Sequence, residues 1–138
     1  MAKTFHLEIV TPDGPSYKGE VSALVVPAWE GQLGVLPGHE PEVAVMKAGA
    51  LRYTAEGKDE WLAISGGFVQ IDPHQVVVLA ETAEAAEAID TARAKAAVGA
   101  KQQALTQGRM TEEQIAQMQA SLLKELVRLR VAEKVKKG

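Results

Sequence analysis

Cysteine is absent from the 138 residues, so disulfides, thiolate metal ligands and cysteine nucleophiles are excluded. That composition suits a reducing compartment. No apolar run approaches the roughly 20 residues that a bilayer-crossing helix needs. Met1-Ala2-Lys3-Thr4 leads into an alternating segment instead of a signal-peptide core. The chain is therefore expected neither to span a membrane nor to carry an export signal. Positive charge is not in excess either: 15 Lys and Arg stand against 18 Asp and Glu, a formal charge of -3. No whole-chain basic field is available to hold a nucleic acid, which is not expected as a partner.

Catalytic signatures are equally scarce. Neither G-x-x-x-x-G-K-[ST] nor G-x-G-x-x-G occurs, so no phosphate-cradling loop is expected. His6, His39 and His74 lie in separate segments without the spacing of a zinc pair, and Ser65 lacks the G-x-S-x-G elbow of a nucleophile. The expectation is no metal, no required cofactor and no catalysis by this chain.

Proline and aromatic residues are missing from one part of the chain only. All six Pro, all six aromatics and nine of twelve Gly precede residue 80, and the rest is Ala-rich. Charge divides at the same place. Residues 1–80 carry 5 basic and 10 acidic side chains, whereas residues 81–138 carry 10 and 8. Two units follow: residues 1–81 as a β-domain and residues 82–138 as a helical one.

In the first unit Phe5, Leu7 and Ile9 alternate with His6 and Glu8 until Thr11-Pro12-Asp13-Gly14-Pro15 breaks the run. Further short strands are expected at 16–21, 23–27, 42–46, 50–55, 60–65, 68–71 and 75–79. Glu56-Gly57-Lys58-Asp59 and Ser65-Gly66-Gly67 read as turns between strands. Seven or eight strands at this spacing imply an antiparallel sandwich or barrel, because parallel pairing would require crossovers for which there is no room. Residues 29–39 form the longest stretch without clear alternation and read as a loop.

In the second unit a helix is expected from Ala83 to about Leu105, with Ala85, Ala88, Ile89, Ala92, Ala96 and Gly99 on one face. Gly108 supplies a stop, and Thr111-Glu112-Glu113-Gln114 has capping-box spacing, so a second helix runs from Thr111 to about Lys134. Its apolar stripe is Ile115, Met118, Leu122, Leu126 and Leu129. The fold class is thus α+β, an N-terminal antiparallel β-sandwich or flattened barrel followed by an antiparallel two-helix hairpin. That hairpin buries little against itself, so a second arrangement a few kcal/mol away is a natural expectation.

Five segments together resemble one family. They are residues 7–13 (LEIVTPD), 30–41 (EGQLGVLPGHEP), 65–69 (SGGFV), 76–83 (VVVLAETA) and 129–132 (LRVA). The family is the epsilon subunit of the F-type ATP synthase, called delta in mitochondria. The resemblance implies a ten-stranded flattened barrel with two C-terminal helices. It also implies a non-catalytic rotor role, with the barrel bound to the gamma subunit and the c-ring and the helices inhibiting ATP hydrolysis. By the same resemblance Glu30, Gln32 and His39 face the c-ring. Arg109, Lys124, Arg128, Arg130, Lys134, Lys136 and Lys137 are the cations implied to meet acidic segments of the beta subunits in the alpha/beta catalytic head. The location implied is peripheral, on the cytoplasmic face of a bacterial inner membrane or an equivalent energy-transducing membrane.

Ile89-Asp90-Thr91-Ala92-Arg93-Ala94 is similar to a motif with which some epsilon subunits hold ATP as a regulatory ligand. The resemblance adds Glu84, Lys124 and Arg128 to that set. Lys124 stands where the family has a second Arg, which keeps the charge and loses the bidentate fork. The alternative reading is a free-standing ligand-binding barrel with a helical dimerisation tail.

Overall fold

The structure, a computed structural model, describes residues 3–136. Lys137 lies outside them. Ten strands form one sheet in the order β10-β7-β6-β3-β5-β8-β9-β1-β2, with β4 paired to β3 beside this path. The strands are β1 Phe5–Thr11, β2 Gly14–Val21, β3 Ala23–Ala28, β4 Gly31–Val35, β5 Glu42–Met46, β6 Gly49–Ala55, β7 Lys58–Ile64, β8 Gly67–Ile71, β9 Gln75–Ala80 and β10 Ala83–Ala85. A 3-10 turn at Ala86–Ala88 leads to α1 Thr91–Thr106 and α2 Glu112–Lys136.

Alternation builds the core. Phe5, Leu7 and Ile9 point inward from β1, Val69 and Ile71 from β8, and Val76 and Val78 from β9. Leu24, Val26, Leu51, Leu62 and Ile64 meet them from the other side of the sandwich. The sheet curls until its ends approach. The Tyr17 and Tyr53 rings lie 4.2 Å apart, and Ser22 N–H donates to the Thr54 carbonyl at 2.8 Å.

Several expectations are corrected. β4 lies inside the expected loop: Leu33 and Val35 turn toward the core, while Gln32 and Gly34 leave the outer face without an apolar signal. β1 pairs with β9 in parallel, His6 opposite Gln75 through Val10 opposite Leu79. The crossover argument bars such pairing only for strands close in sequence, and nearly the whole barrel lies between these two. Ser65-Gly66-Gly67 is no hairpin turn, since β7 pairs with β6 and β10 whereas β8 pairs with β5 and β9. The segment carries the chain between neighbourhoods, and Glu81 N–H donates to the Gly66 carbonyl at 3.0 Å.

The helix expected from Ala83 starts instead at Thr91. Ala83-Glu84-Ala85 pairs antiparallel with β7, so an available sheet edge overrides the helical propensity of Ala and Glu. The strand count of ten agrees with the family resemblance, and the two strands that periodicity missed are β4 and β10.

Neither helix presents the whole of the face expected. On α1 the covered positions are Thr91, Ala94, Ala97, Val98, Lys101, Ala104 and Leu105, while Ala92, Ala96 and Gly99 are exposed. On α2, Met118, Leu122 and Leu129 of the expected stripe are half-buried, Ile115 and Leu126 face out, and the fully buried residues are Val127, Val131 and Ala132. The reason is a second surface to satisfy. The C-terminal half of α2 lies on the outside of β6 and β7, where Ala50, Trp61 and Ala63 join Ala86 and Ile89 in a small separate core. Alanines on the sheet let the helix axis approach closely. The hairpin is therefore folded down on the barrel.

Candidate functional site

The first candidate surface surrounds the β3–β4 turn. Gly31, at φ +131, makes that turn sharp and leaves Glu30 and Gln32 exposed beside Trp29. Glu30 and Gln32 line one groove of about 530 Å³ with Trp29, Leu33 and the β5 residues Glu42–Val45. His39 is tied to its rim: Nδ1–H donates to the Glu40 carbonyl at 2.7 Å, and Nε2 lies 3.8 Å from Glu42 Oε1. The three residues implied for the c-ring thus share one region, with Glu42 joining them.

A neighbouring surface was not foreseen from the sequence. Val45 on β5 stands opposite Phe68 on β8, which stands opposite Leu79 on β9. All three are exposed on the outer face, together with Val43 at 68% and Trp29 at 67%. An uncovered apolar row of this kind marks an interaction surface. Its signal in the sequence was Val43-Ala44-Val45-Met46, a strand with no polar face in either register.

The second candidate lies between barrel and hairpin. Glu84 on β10 and Lys124 and Arg128 on α2 line one cavity of about 360 Å³ with Ser65, Thr82 and Glu125. Arg128 is the hub. Its Nε and Nη2 donate to the two Glu84 carboxylate oxygens at 2.7 and 3.1 Å, and Nη1 donates to Glu125 at 2.9 Å. The Glu84 hydrogen bond raises the guanidinium pKa above its ordinary value, against a lowering by burial. Glu125 also lies 3.6 Å from Lys101 on α1.

The remaining members of the ATP-motif set are elsewhere. Asp90 is the N-cap of α1, its carboxylate accepting from the Arg93 backbone N–H at 3.1 Å, and the Arg93 side chain is exposed. Ile89 and Ala94 are buried. None of the four lines the cavity that holds Glu84, Lys124 and Arg128.

The implied head-binding cations are also dispersed. Arg109 lines a cavity of about 460 Å³ between the helices near their connecting turn. Arg130 and Lys134 line a groove with Trp61 and Lys47, and Lys134 Nζ lies 4.9 Å from the Trp61 ring centroid. Sequence reasoning missed Trp61, Lys101 and Glu125. Only the three-residue spacing of Glu125 and Arg128 was legible as a helical pair. Among the described residues, no group of three His, Cys, Asp or Glu is placed to hold a metal.

Comparisons with known proteins agree with this architecture. A family model described as "ATP synthase, Delta/Epsilon chain, beta-sandwich domain" matches residues 4–86. The ATP synthase epsilon chain of Bacillus pumilus is 42% identical over 132 residues, 96% of this chain and 99% of that one. That of Bacillus subtilis is 50% identical over 95 residues, 69% and 72% of the two chains. A chain in the Euglena gracilis mitochondrial ATP synthase OSCP/F1/c-ring structure superposes with TM-score 0.71 at 25% identity, covering 97% of this chain and 80% of that one. A chain of the Tetrahymena thermophila mitochondrial ATP synthase central stalk and c-ring shares the fold at 12% identity and TM-score 0.54, with 96% of each covered. Matched through its sandwich by the family model and along nearly its whole length by a relative, the chain belongs to the ATP synthase delta/epsilon family.

Proposed function

We propose that this chain is a non-catalytic central-stalk subunit of a proton-translocating ATP synthase. Its barrel joins the gamma subunit to the c-ring, and its hairpin restrains ATP hydrolysis by the alpha/beta head. The observation that carries the reading is the uncovered row Val45–Phe68–Leu79 on a sandwich of this family. Covering a side chain of this size contributes roughly 1.5–3 kcal/mol, so a partner on this face binds with apolar as well as polar energy. The gamma subunit is the occupant assigned to it, and the c-ring meets the neighbouring groove at Glu30, Gln32 and His39. Among the described residues no helix is long and apolar enough to cross a membrane, in keeping with a peripheral subunit. Its place is the cytoplasmic face of a bacterial inner membrane.

Capture of a gamma–c-ring complex by the full chain tests the face. Phe68→Glu should weaken capture at least about tenfold while the barrel stays folded. Capture equal to that of the unaltered chain removes the assignment.

A second reading, ATP as a regulatory ligand of the folded-down hairpin, is favoured by the cavity that gathers Glu84, Lys124 and Arg128. A phosphate there must compete with Glu84 and Glu125 for the guanidinium, so weak binding is expected. Calorimetric titration of the full chain with ATP, with and without magnesium, should give heat at millimolar nucleotide that Lys124→Ala, at the cavity wall, abolishes. No heat, or equal heat from the variant, removes this reading.

A further inference from the structure

The hairpin is held on the barrel by few large apolar side chains, because half of the small core between them is alanine. What spans the boundary most directly is a chain of charges. Lys101 on α1 meets Glu125 on α2, Glu125 meets Arg128, and Arg128 forks onto Glu84 of the barrel's last strand. The charges are half-withdrawn from water, with side chains of Glu125, Arg128 and Glu84 exposed by 14%, 28% and 34%. Water screens such pairs less than free surface pairs. The fork also requires both planes to align, which fixes the direction of α2 relative to β7 and β10. Six residues beyond Arg128, Lys134 rests against Trp61 on the same side of the sheet.

We propose that Glu84 is an intramolecular decoy, a barrel carboxylate that occupies Arg128 and latches the hairpin down in the absence of any ligand. Arg128 and Lys134 are among the cations through which this family reading has the hairpin meet the head, so the inference rests on that reading of the hairpin as a brake. While Arg128 is paired with Glu84 and Glu125, Glu84 holds its Nε/Nη2 edge and Glu125 its Nη1, so an acidic segment of another subunit must displace Glu84 to take the same bidentate edge. The brake is thus autoinhibited by its own barrel. Release requires exchange of one carboxylate partner for another, not the uncovering of a bare cation, which lowers the cost of switching.

The test uses the isolated full chain, whose lack of cysteine permits spin labels at two introduced sites, Lys58→Cys in the barrel and Gln102→Cys on α1. The unaltered pair should give a compact distance distribution at low salt that broadens toward about 1 M, where the screening length falls to about 3 Å. Glu84→Gln should raise the ratio of open to compact molecules roughly three- to tenfold at low salt and flatten the salt dependence. Arg128→Lys, which keeps the charge without the fork, should fall between. Glu87→Gln, an exposed acid three residues away, should leave the distribution unchanged. A distribution unmoved by Glu84→Gln, or moved equally by Glu87→Gln, overturns the latch. Protection of the barrel amides in the same variants shows that opening is not unfolding. Added to the catalytic head, Glu84→Gln should inhibit hydrolysis more strongly than the unaltered chain. Opening without any change in hydrolysis would leave the latch standing and remove the braking role instead.

Discussion

A side chain at Gly67 would run into the backbone of β9. Its φ of +133 lies in the region that favours glycine, and a Cβ there would overlap the Leu79 carbonyl oxygen and sit 3.0 Å from the Ala80 Cα. Gly67→Ala should therefore cost at least about 2 kcal/mol, combining strain with displacement of a core strand, measurable as a lower urea midpoint. An unchanged midpoint would mean that β8 and β9 separate at this point more easily than the pairing indicates. Tyr53 gives a second residue-scale expectation. Burial, then the neighbouring Tyr17 and Glu60, push its phenol from 10.0 up to about 12. Folding favours the protonated form, so this contribution is complete below pH 10 and is lost as pH rises through about 12. Spectroscopic titration of phenolate should show Tyr53 ionising late, together with alkaline loss of the barrel. Of these features the sequence disclosed the glycines but not their job. Ser65-Gly66-Gly67 has the composition of a hairpin turn, and only long-range pairing distinguishes a turn from a crossover.

At the scale of elements, caps were legible and faces only in part. The capping box at α2 forms as its spacing requires, with Gln114 N–H donating to Thr111 Oγ1 at 3.1 Å and Thr111 N–H donating to Gln114 Oε1 at 3.0 Å. Gly108, at φ +69, ends the connection as read. The α2 stripe was read only in part, Met118, Leu122 and Leu129 being half-buried as expected, because amphipathicity reports one apolar direction and α2 serves both α1 and the barrel. Val131 shows the difference, fully buried although it lay off the expected stripe. Val131→Ala should cost roughly 1–3 kcal/mol, and the loss should appear as faster amide exchange in α1 and α2 with the barrel unaffected. Equal loosening of β1 and β9 would show that the two units unfold together. Asp90→Ala should destabilise the first turn of α1 by about 1 kcal/mol with no nucleotide present, because its carboxylate already caps the helix. Any effect of that variant on ATP binding must be judged against this loss.

The molecule as a whole joins a tightly packed sandwich to a lightly attached hairpin, an inequality that fits the function proposed above, a fixed barrel with a hairpin that switches. The sandwich was legible from the clustering of proline, glycine and aromatics before residue 80, but its end was not, because the sheet runs past the expected boundary through Ala83–Ala85. The folded-down arrangement was not, since its ties are long-range pairs between residues that look solvated in sequence, Glu84 with Arg128 and Trp61 with Lys134. The apolar outer row was hidden for a related reason: in a strand apolar on both faces, periodicity cannot tell which face is left for a partner. The most direct test of the proposed stalk role is reconstitution of an ATP synthase stripped of its epsilon chain with this chain, followed by proton-driven ATP synthesis. Synthesis should return in proportion to chain added, and the Phe68→Glu chain should fail at the same concentrations. Synthesis that stays absent with the unaltered chain bound, or that returns equally with Phe68→Glu, would contradict it.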